Sequence, residues 1–297
     1  MTENVVAQSG TLDWNSENWT QRWRTGGFLF PSDNNPLTQT FTVSGVDITI
    51  TLTRGPNTGS GEVSNRRNTP NDVANNPISN PSDTSDEALL VDVNFDSRVD
   101  TDNVLYADSY DYIQFDIAFD TPVESVDVEV WDLDLGNSGG STFQDVILIN
   151  PSGPDYTLSI ADTSDPDVEI YTTADGTQGL RGIGTTDNQG VGTETNNTGA
   201  ENDDFNSGDA EISFANSDNS TFNSISFRYV SGDGDGSGVS LPANPTLQRI
   251  AALSSISFVI PEAESWIAVL LLFMLLVIPR RNFLHRQQRW FYSTFLR

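Results

Sequence analysis

Two aspartate-rich stretches carry the residues best suited to chemistry in this chain, and the chemistry they suit is calcium binding. They offer oxygen side chains at short spacings: Asp132 and Asp134 with Asp145 further on, and Asp233, Asp235 and Ser237. Calcium takes six to eight oxygen ligands in a flexible geometry, and the interleaved glycines of the second stretch allow tight wrapping. Asn244 stands twelfth from Asp233, so the closing glutamate of an EF-hand is missing. We predict Ca²⁺ at either stretch, with a solvated acidic turn or linker as the alternative.

The composition excludes most other site chemistry. The chain has no cysteine, and His285, its one histidine, lies near the C-terminus. These counts exclude disulfides, cysteine-based metal sites and cysteine nucleophiles, and they leave the main body without a Ser-His-Asp triad. Paired carboxylates could still hydrolyse glycosides, but no spacing singles out a pair. We therefore assign no catalytic residue and expect that the protein is not an enzyme.

The charge is strongly negative and unevenly distributed. The chain has 297 residues, with 42 acids against 14 cations, all arginine, for a net charge of −28. Residues 1–264 hold 42 acids and 9 arginines, a net of −33, whereas residues 265–297 hold 5 arginines and no acid. A body this acidic repels phosphate backbones, so we expect no nucleic-acid partner.

A short apolar run near the C-terminus predicts a transmembrane helix. Residues 266–278 (WIAVLLLFMLLVI) contain no charge, and as a helix they would extend about 20 Å. The arginines that follow can reach the headgroups and lengthen this short span. A buried core helix is the alternative. The positive charges after the span indicate that this end stays cytoplasmic, which puts the acidic body on the other side of the membrane.

The residues around this run resemble a PEP-CTERM sorting signal. The resemblance covers about residues 260–281 and depends on Pro261, Glu262, Ala263, Trp266, Arg280 and Arg281. In that family a Pro-Glu-Pro motif precedes a short transmembrane helix and an arginine cluster; here Ala263 replaces the second proline. The resemblance implies an exported Gram-negative bacterial protein, held in the inner membrane until an exosortase-type enzyme processes it. It also implies a final position at the cell surface or in an extracellular polysaccharide layer.

The two ends of the chain complete the predicted organisation. Residues 282–297 form a basic, aromatic tail, which either lies at the membrane interface or is a disordered extension. Export needs a signal peptide, and none is recognisable after Met1, so we expect one upstream of a late-assigned start. The predicted segments are an export remnant or flexible terminus at 1–10, an ectodomain at 11–260, the sorting segment at 261–281 and the tail at 282–297.

The body has the period-two alternation of β-strands. Apolar residues alternate with polar ones around 46–52, 113–119 and 126–130, and similar stretches are found at 88–95, 145–150, 155–160, 167–172, 211–215, 222–230 and 254–260. Many short strands separated by turn residues predict an all-β domain, a β-sandwich with a jelly roll as one candidate arrangement. We expect residues 110–119 and 123–131 to pair as an antiparallel hairpin. Residues 54–87 and 172–210 contain few large apolar side chains, and we expect each to be a long surface loop or partly disordered.

Four aromatic residues near the N-terminus allow two interpretations. Trp14, Trp19, Trp23 and Phe28 could stack on carbohydrate rings, or they could pack over one end of the sandwich. We favour packing. The function we expect is a structural or adhesive role at the cell surface or in the matrix. The alternatives are a membrane-anchored domain that binds or hydrolyses glycans, and a membrane protein that is never cleaved.

Overall fold

A computed structural model gives the architecture of the main body. It describes residues 8–14, 17, 19–20, 36–55, 61–67, 87–93, 95, 97–106, 110–131, 133, 135–136, 143–160, 168–183, 210–234 and 248–261. These ranges contain strands, turns and bends but no helix. The strands are β1 (Gln8–Asp13), β2 (Leu37–Val43), β3 (Val46–Arg54), β4 (Gly61–Arg67), β5 (Glu87–Val93), β6 (Ile113–Val123), β7 (Ser125–Trp131), β8 (Leu135–Gly136), β9 (Phe143–Ile149), β10 (Tyr156–Ile160), β11 (Val168–Thr172), β12 (Gln178–Gly182), β13 (Ala210–Ala215), β14 (Phe222–Ser231) and β15 (Gln248–Ile260).

The strands form two antiparallel sheets. The seven-stranded sheet has the order β10-β13-β7-β15-β5-β4, and β1 also pairs with β15. The eight-stranded sheet has the order β11-β12-β9-β14-β6-β3-β2, and β8 also pairs with β9. The prediction of an all-β body is therefore confirmed, and two antiparallel sheets are consistent with a β-sandwich.

Residues from both sheets form one hydrophobic core. In β3 the alternation is complete: Val46, Ile48, Ile50 and Leu52 are buried, while the residues between them are exposed or half-buried. The core also includes Phe119 of the eight-stranded sheet and Phe258 of the seven-stranded sheet. The centroids of these two rings are 5.7 Å apart. Burial of alternate side chains on one face of each strand is what stabilises this arrangement.

The predicted hairpin of residues 110–119 with 123–131 is wrong, although both strands exist. β6 pairs with β3 and β14, whereas β7 pairs with β13 and β15 in the other sheet. The chain continues as strand through residues 120–122, where the hairpin would have turned, and changes sheet at Glu124. Both strands bury an alternating apolar face in the common core. Alternation reports which face is buried but not which strand lies alongside.

Each of the two predicted loops contains a strand. β4 lies within 54–87 and pairs with β5 along its whole length. β12 lies within 172–210, pairs with β9 and β11, and places Leu180 in the core with none of its surface exposed. The prediction that these stretches are long surface loops or partly disordered is therefore wrong at 61–67 and 178–182. Few apolar residues were needed because backbone hydrogen bonds hold each strand in its sheet, to β5 for β4 and to β9 and β11 for β12.

The internal contacts of the chain define two compact units. One is Ser9–Ile260, which contains both sheets, and the other combines Met1–Gln8 with Pro261–Arg297. β1 begins at Gln8, inside the segment expected to be an export remnant or flexible terminus. Among the described residues there is no helix long and apolar enough to cross a membrane. The apolar run at 266–278 lies outside them, so the predicted transmembrane helix stays a prediction.

Candidate functional site

One residue from each of the two acidic stretches predicted to bind calcium lies at the same end of the eight-stranded sheet. Asp145 lies near the start of β9, and Asp233 follows the end of β14. Because β9 and β14 are antiparallel and Ser231 pairs with Asp145, the start of one strand adjoins the end of the other. β8 continues the first stretch into this region by pairing with the beginning of β9. The remaining predicted ligands, Asp132, Asp134, Asp235 and Ser237, lie outside the described residues.

Gln144 connects the loops at this end, and sequence analysis did not select it. Its side chain is buried, its Oε1 accepts the amide N–H of Gly234 at 2.9 Å, and its Nε2 donates to the carbonyl of Gly182 at 2.8 Å. Its own carbonyl accepts the N–H of Gly232 at 2.9 Å. A Cβ at Gly232 would collide with the Gln144 side chain, so this close approach requires glycine. One amide therefore links the backbone that follows β14 to the last residue of β12.

Two carboxylates are buried near this end. Asp145 is fully buried, and the hydroxyl of Tyr229 donates to its Oδ1 at 2.5 Å. Asp111 is 2% exposed, and the hydroxyl of Ser97 donates to its Oδ2 at 2.8 Å. Burial of a carboxylate is costly without hydrogen-bond donors, so these hydroxyls stabilise both side chains. The two aspartates are 34 positions apart in the sequence, and the local pattern around each does not predict its burial.

A half-buried cation, Arg98, lies beside Asp233. Arg98 donates from Nη1 to the carbonyl of Gly232 at 2.9 Å and to Ser231 Oγ at 3.3 Å. Burial lowers the pKa of Arg98 to about 10, and the charge of Asp233 opposes this shift, so the guanidinium stays protonated at neutral pH. Within the described part of the chain, no three acidic or histidine side chains form a group that could hold a metal ion. Calcium therefore remains a prediction that requires the predicted ligands outside that part.

A second polar cluster is centred on Arg228, on the outward face of the eight-stranded sheet. The guanidinium carbon lies 3.8 Å from the ring centroid of Tyr112 and 4.2 Å from that of Tyr106. Nε donates to Gln114 Oε1 at 3.0 Å, and Nη1 donates to the hydroxyl of Tyr110 at 3.4 Å. Burial raises the pKa of Tyr106, although its hydrogen bond with Ser226 opposes the shift. This cation–π packing fastens the described residues of the segment 106–112, namely 106 and 110–112, to the sheet.

Arg181 fastens the preceding part of that segment. From β12 it donates to Asp102 and Thr101 at 2.8 and 2.7 Å, and to Glu169 on the neighbouring strand at 2.5 Å. The Tyr171 ring packs 4.8 Å from its guanidinium carbon, and burial raises the pKa of Tyr171. Residues 97–106 and 110–112 thus lie on the outward face of this sheet, held by two buried arginines, and contribute Val99, Val104 and Tyr112 to a smaller hydrophobic cluster.

Two of the four N-terminal aromatic residues are core residues. Trp14 is fully buried with its ring edge toward Phe41 at 5.3 Å, and Trp19 is 3% exposed and 6.4 Å from the same ring. The packing interpretation is confirmed for these two residues, which have no free face for a sugar ring. Trp23 and Phe28 lie outside the described residues.

The sorting-signal residues are largely beyond the described part of the chain. Pro261 directly follows β15 and is partly exposed. Glu262, Ala263, Trp266, Arg280 and Arg281 lie outside, as does the tail at 282–297. A comparison of the chain with protein-family models, curated proteins and solved structures finds no match.

Proposed function

We propose that this chain is an exported structural or adhesive protein of a Gram-negative cell surface or extracellular matrix, with a body stabilised by calcium. The finer fold we propose is a β-sandwich of jelly-roll-like type. Alternation of successive strands between the two sheets, as from β5 to β6 to β7, supports that arrangement.

The position of Asp145 and Asp233, one from each acidic stretch, at adjoining strand ends is the observation that carries the calcium proposal. Asp145 and Asp233 approach the same strand ends from segments almost ninety residues apart. Asp132, Asp134, Asp235 and Ser237 flank them in sequence and offer the hard oxygen ligands that calcium prefers. Mutual repulsion among carboxylates would be relieved by a bound cation, which would then stabilise the folded state by mass action.

The residues at 261–281 support an exosortase-type sorting step. The motif, the apolar run and the arginine pair occur in the order that such a signal requires, and they follow the last strand of the body directly. The mature protein would then leave the inner membrane for the surface or the polysaccharide layer. The alternative of a glycan-binding domain that uses the N-terminal tryptophans loses support, because Trp14 and Trp19 are buried.

The melting temperature in calcium and in a chelator tests the proposed stabilisation. At a free calcium concentration ten times the Kd, binding adds about 1.4 kcal/mol, which corresponds to a rise of about 3 to 6 °C. Asp233→Asn combined with Asp235→Asn should abolish most of that rise. Glu124→Gln removes a charge at the exposed turn between β6 and β7 and should retain it. Equal melting temperatures in calcium and chelator would exclude the calcium part.

The mass of the mature protein tests the sorting step. Expression in a bacterium that has an exosortase, followed by mass spectrometry of the surface fraction, should yield a chain that lacks the residues after about 261. Replacement of both Arg280 and Arg281 by Ser should leave the protein in the inner membrane. Recovery of the full chain from the soluble cytoplasmic fraction would refute export.

A further inference from the structure

The outward face of the eight-stranded sheet carries a half-buried carboxylate among hydroxyl groups. Asp116 lies on β6, and the strand register puts Thr51 of β3 on one side and Ser226 of β14 on the other. Gln114, two residues earlier and on the same face, donates from Nε2 to both carboxylate oxygens at 2.9 Å. The face therefore has an ordered acceptor at its centre, oriented by an amide.

Threonine hydroxyls continue this face toward the edge strand β2. Thr38 pairs with Thr51 at 3.2 Å and Thr40 with Thr49 at 2.9 Å, across the β2–β3 ladder. Thr38 and Thr40 are exposed, and Thr49 and Thr51 are partly exposed. A hydroxyl both donates and accepts hydrogen bonds, so each threonine pair can donate a hydrogen bond to a ligand hydroxyl or accept one from it. These threonines add no formal charge to the face.

The opposite border of the face is aromatic and apolar. The hydroxyl of Tyr106 is 3.3 Å from Ser226 Oγ, and Arg228 packs 4.2 Å from the Tyr106 ring centroid and holds it in place. The neighbouring Leu105 is 51% exposed, one of two large hydrophobic side chains that stand out on the described surface. A partly exposed aromatic ring beside hydrogen-bonding groups suits a ligand with one apolar face and several polar groups.

We propose that this face, from Thr38 to Tyr106 with Asp116 at its centre, binds a neutral polysaccharide. The backbone groups of a central strand are used within the sheet, so an extended peptide would find no main-chain partners here, in contrast to a sheet edge. A carboxylate has about four lone-pair positions and accepts only, so Asp116 can receive adjacent hydroxyl donors in addition to Gln114. The net charge of −28 disfavours an anionic polymer.

This inference gives the adhesive part of the proposed function a ligand class and a surface. It depends on the proposed function only for its biological setting. It does not depend on calcium or on processing, because the threonines and Asp116 lie on β2, β3 and β6, away from the calcium end of the sheet and from residues 261–281. The binding measurement is therefore made in chelator, so that its failure and the failure of the calcium proposal are separate results.

Affinity gel electrophoresis of the full chain in a polyoxyethylene detergent is the test. The gels contain dextran, laminarin or galactomannan as neutral polymers, and alginate as the anionic one. We expect retardation by at least one neutral polymer and none by alginate. Absence of retardation by all three neutral polymers, or retardation by alginate alone, would overturn the proposal.

Matched variants locate the binding surface. Asp116→Asn should weaken binding about ten- to a hundredfold, the range for a lost hydrogen bond to a charged group. Asp127→Asn is the control: Asp127 lies on β7 of the other sheet, where Ser213 and Ser257 pair with it in the same way. Equal losses in both variants, or none in Asp116→Asn, would reject this face. If Asp116→Asn fails to fold, Thr51→Val replaces it, and undiminished binding by that variant would count against the face.

Discussion

At the scale of single residues, the buried Tyr229–Asp145 hydrogen bond is the most consequential polar contact at the calcium end. The donor comes from β14 and the acceptor from β9, and both side chains are fully buried. A hydrogen bond to a charged group contributes about 1.5 to 3 kcal/mol, more than one between neutral groups. This contact therefore ties the candidate calcium ligand to the core of the protein.

We predict that Tyr229→Phe lowers the free energy of unfolding by about 2 kcal/mol, because the carboxylate of Asp145 loses a donor where water cannot replace it. Urea unfolding followed by tryptophan fluorescence measures the change. Tyr156→Phe is the matched control, since its hydroxyl contacts only the backbone of Gln178, at 2.8 and 3.2 Å, from a half-buried position. We expect Tyr156→Phe to lower the free energy of unfolding by about 1 kcal/mol or less. A larger loss in the control than in Tyr229→Phe would contradict this assignment.

Alkaline pH provides a second test at this scale. Burial raises the pKa of Tyr106, Tyr156 and Tyr171 above the ordinary value of 10.0. The folded protein therefore keeps protons that the unfolded chain releases. The stability from these groups is complete below about pH 10 and is lost as the pH rises through their folded-state pKa values.

The ultraviolet absorbance of tyrosinate, followed in folded and in urea-unfolded protein, should show a late-ionising fraction only in the folded protein. Tyr171→Phe should reduce that fraction. If all seven tyrosines ionised together near pH 10 while the protein stayed folded, the burial argument would fail.

At the scale of elements, the alternation of apolar and polar residues predicted where many strands lie, but it did not predict which strands pair with one another. The strands at 46–52, 222–230 and 254–260 were predicted, because one face of each is apolar. Their neighbours were not, since β6 and β7 alternate equally well as a hairpin or as members of opposite sheets. β12 was missed because Leu180 is its single large apolar residue, and a strand between two others needs little more than backbone hydrogen bonds.

Truncation of Leu180 tests whether β12 is part of the core. Leu180→Ala should lower the free energy of unfolding by about 2 to 5 kcal/mol, the range for a buried leucine. Ile170→Ala is the control, because Ile170 pairs with Leu180 from β11 but is 37% exposed. We expect Ile170→Ala to lower the free energy of unfolding clearly less than Leu180→Ala does. If both variants changed the free energy of unfolding equally and by little in denaturant unfolding, β12 would not be part of the core, and 172–210 would behave as a surface loop.

The candidate sites were predictable only in part for the same reason. Asp-rich spacing selected Asp145 and Asp233 from the sequence, and pairing of β9 with β14 brings their segments together. Gln144 and Arg98 carry no sequence signal of that kind, since a lone glutamine or arginine has many ordinary roles. The face around Asp116 combines residues from four separate segments, so only the strand register could define it.

At the scale of the whole molecule, charge dominates the expected behaviour. A net charge of −28 on 297 residues destabilises the compact state by self-repulsion. Salt shortens the range of that repulsion, from about 30 Å at 0.01 M to about 10 Å at 0.1 M. The stability of this protein should therefore depend on ionic strength more than that of a neutral domain.

We predict that the melting temperature rises as potassium chloride increases from about 0.01 to 0.1 M. Differential scanning calorimetry at fixed pH measures it. Calcium chloride at the same ionic strength separates screening from specific binding, because only a bound ion adds a further rise. A melting temperature that falls with added salt would contradict the charge argument.

The sequence by itself determined the properties that follow from overall composition or from the local spacing of residue types. Net charge, the absence of cysteine, the apolar run at 266–278 and the strand faces follow from residue types and their spacing. The tertiary structure decided what depends on partners distant in the chain: the sheet to which each strand belongs, the burial of Trp14, and the meeting of Asp145 with the end of β14. The physical reason is that an alternating strand specifies a buried face, whereas its neighbours are selected by packing and backbone hydrogen bonds across the whole core.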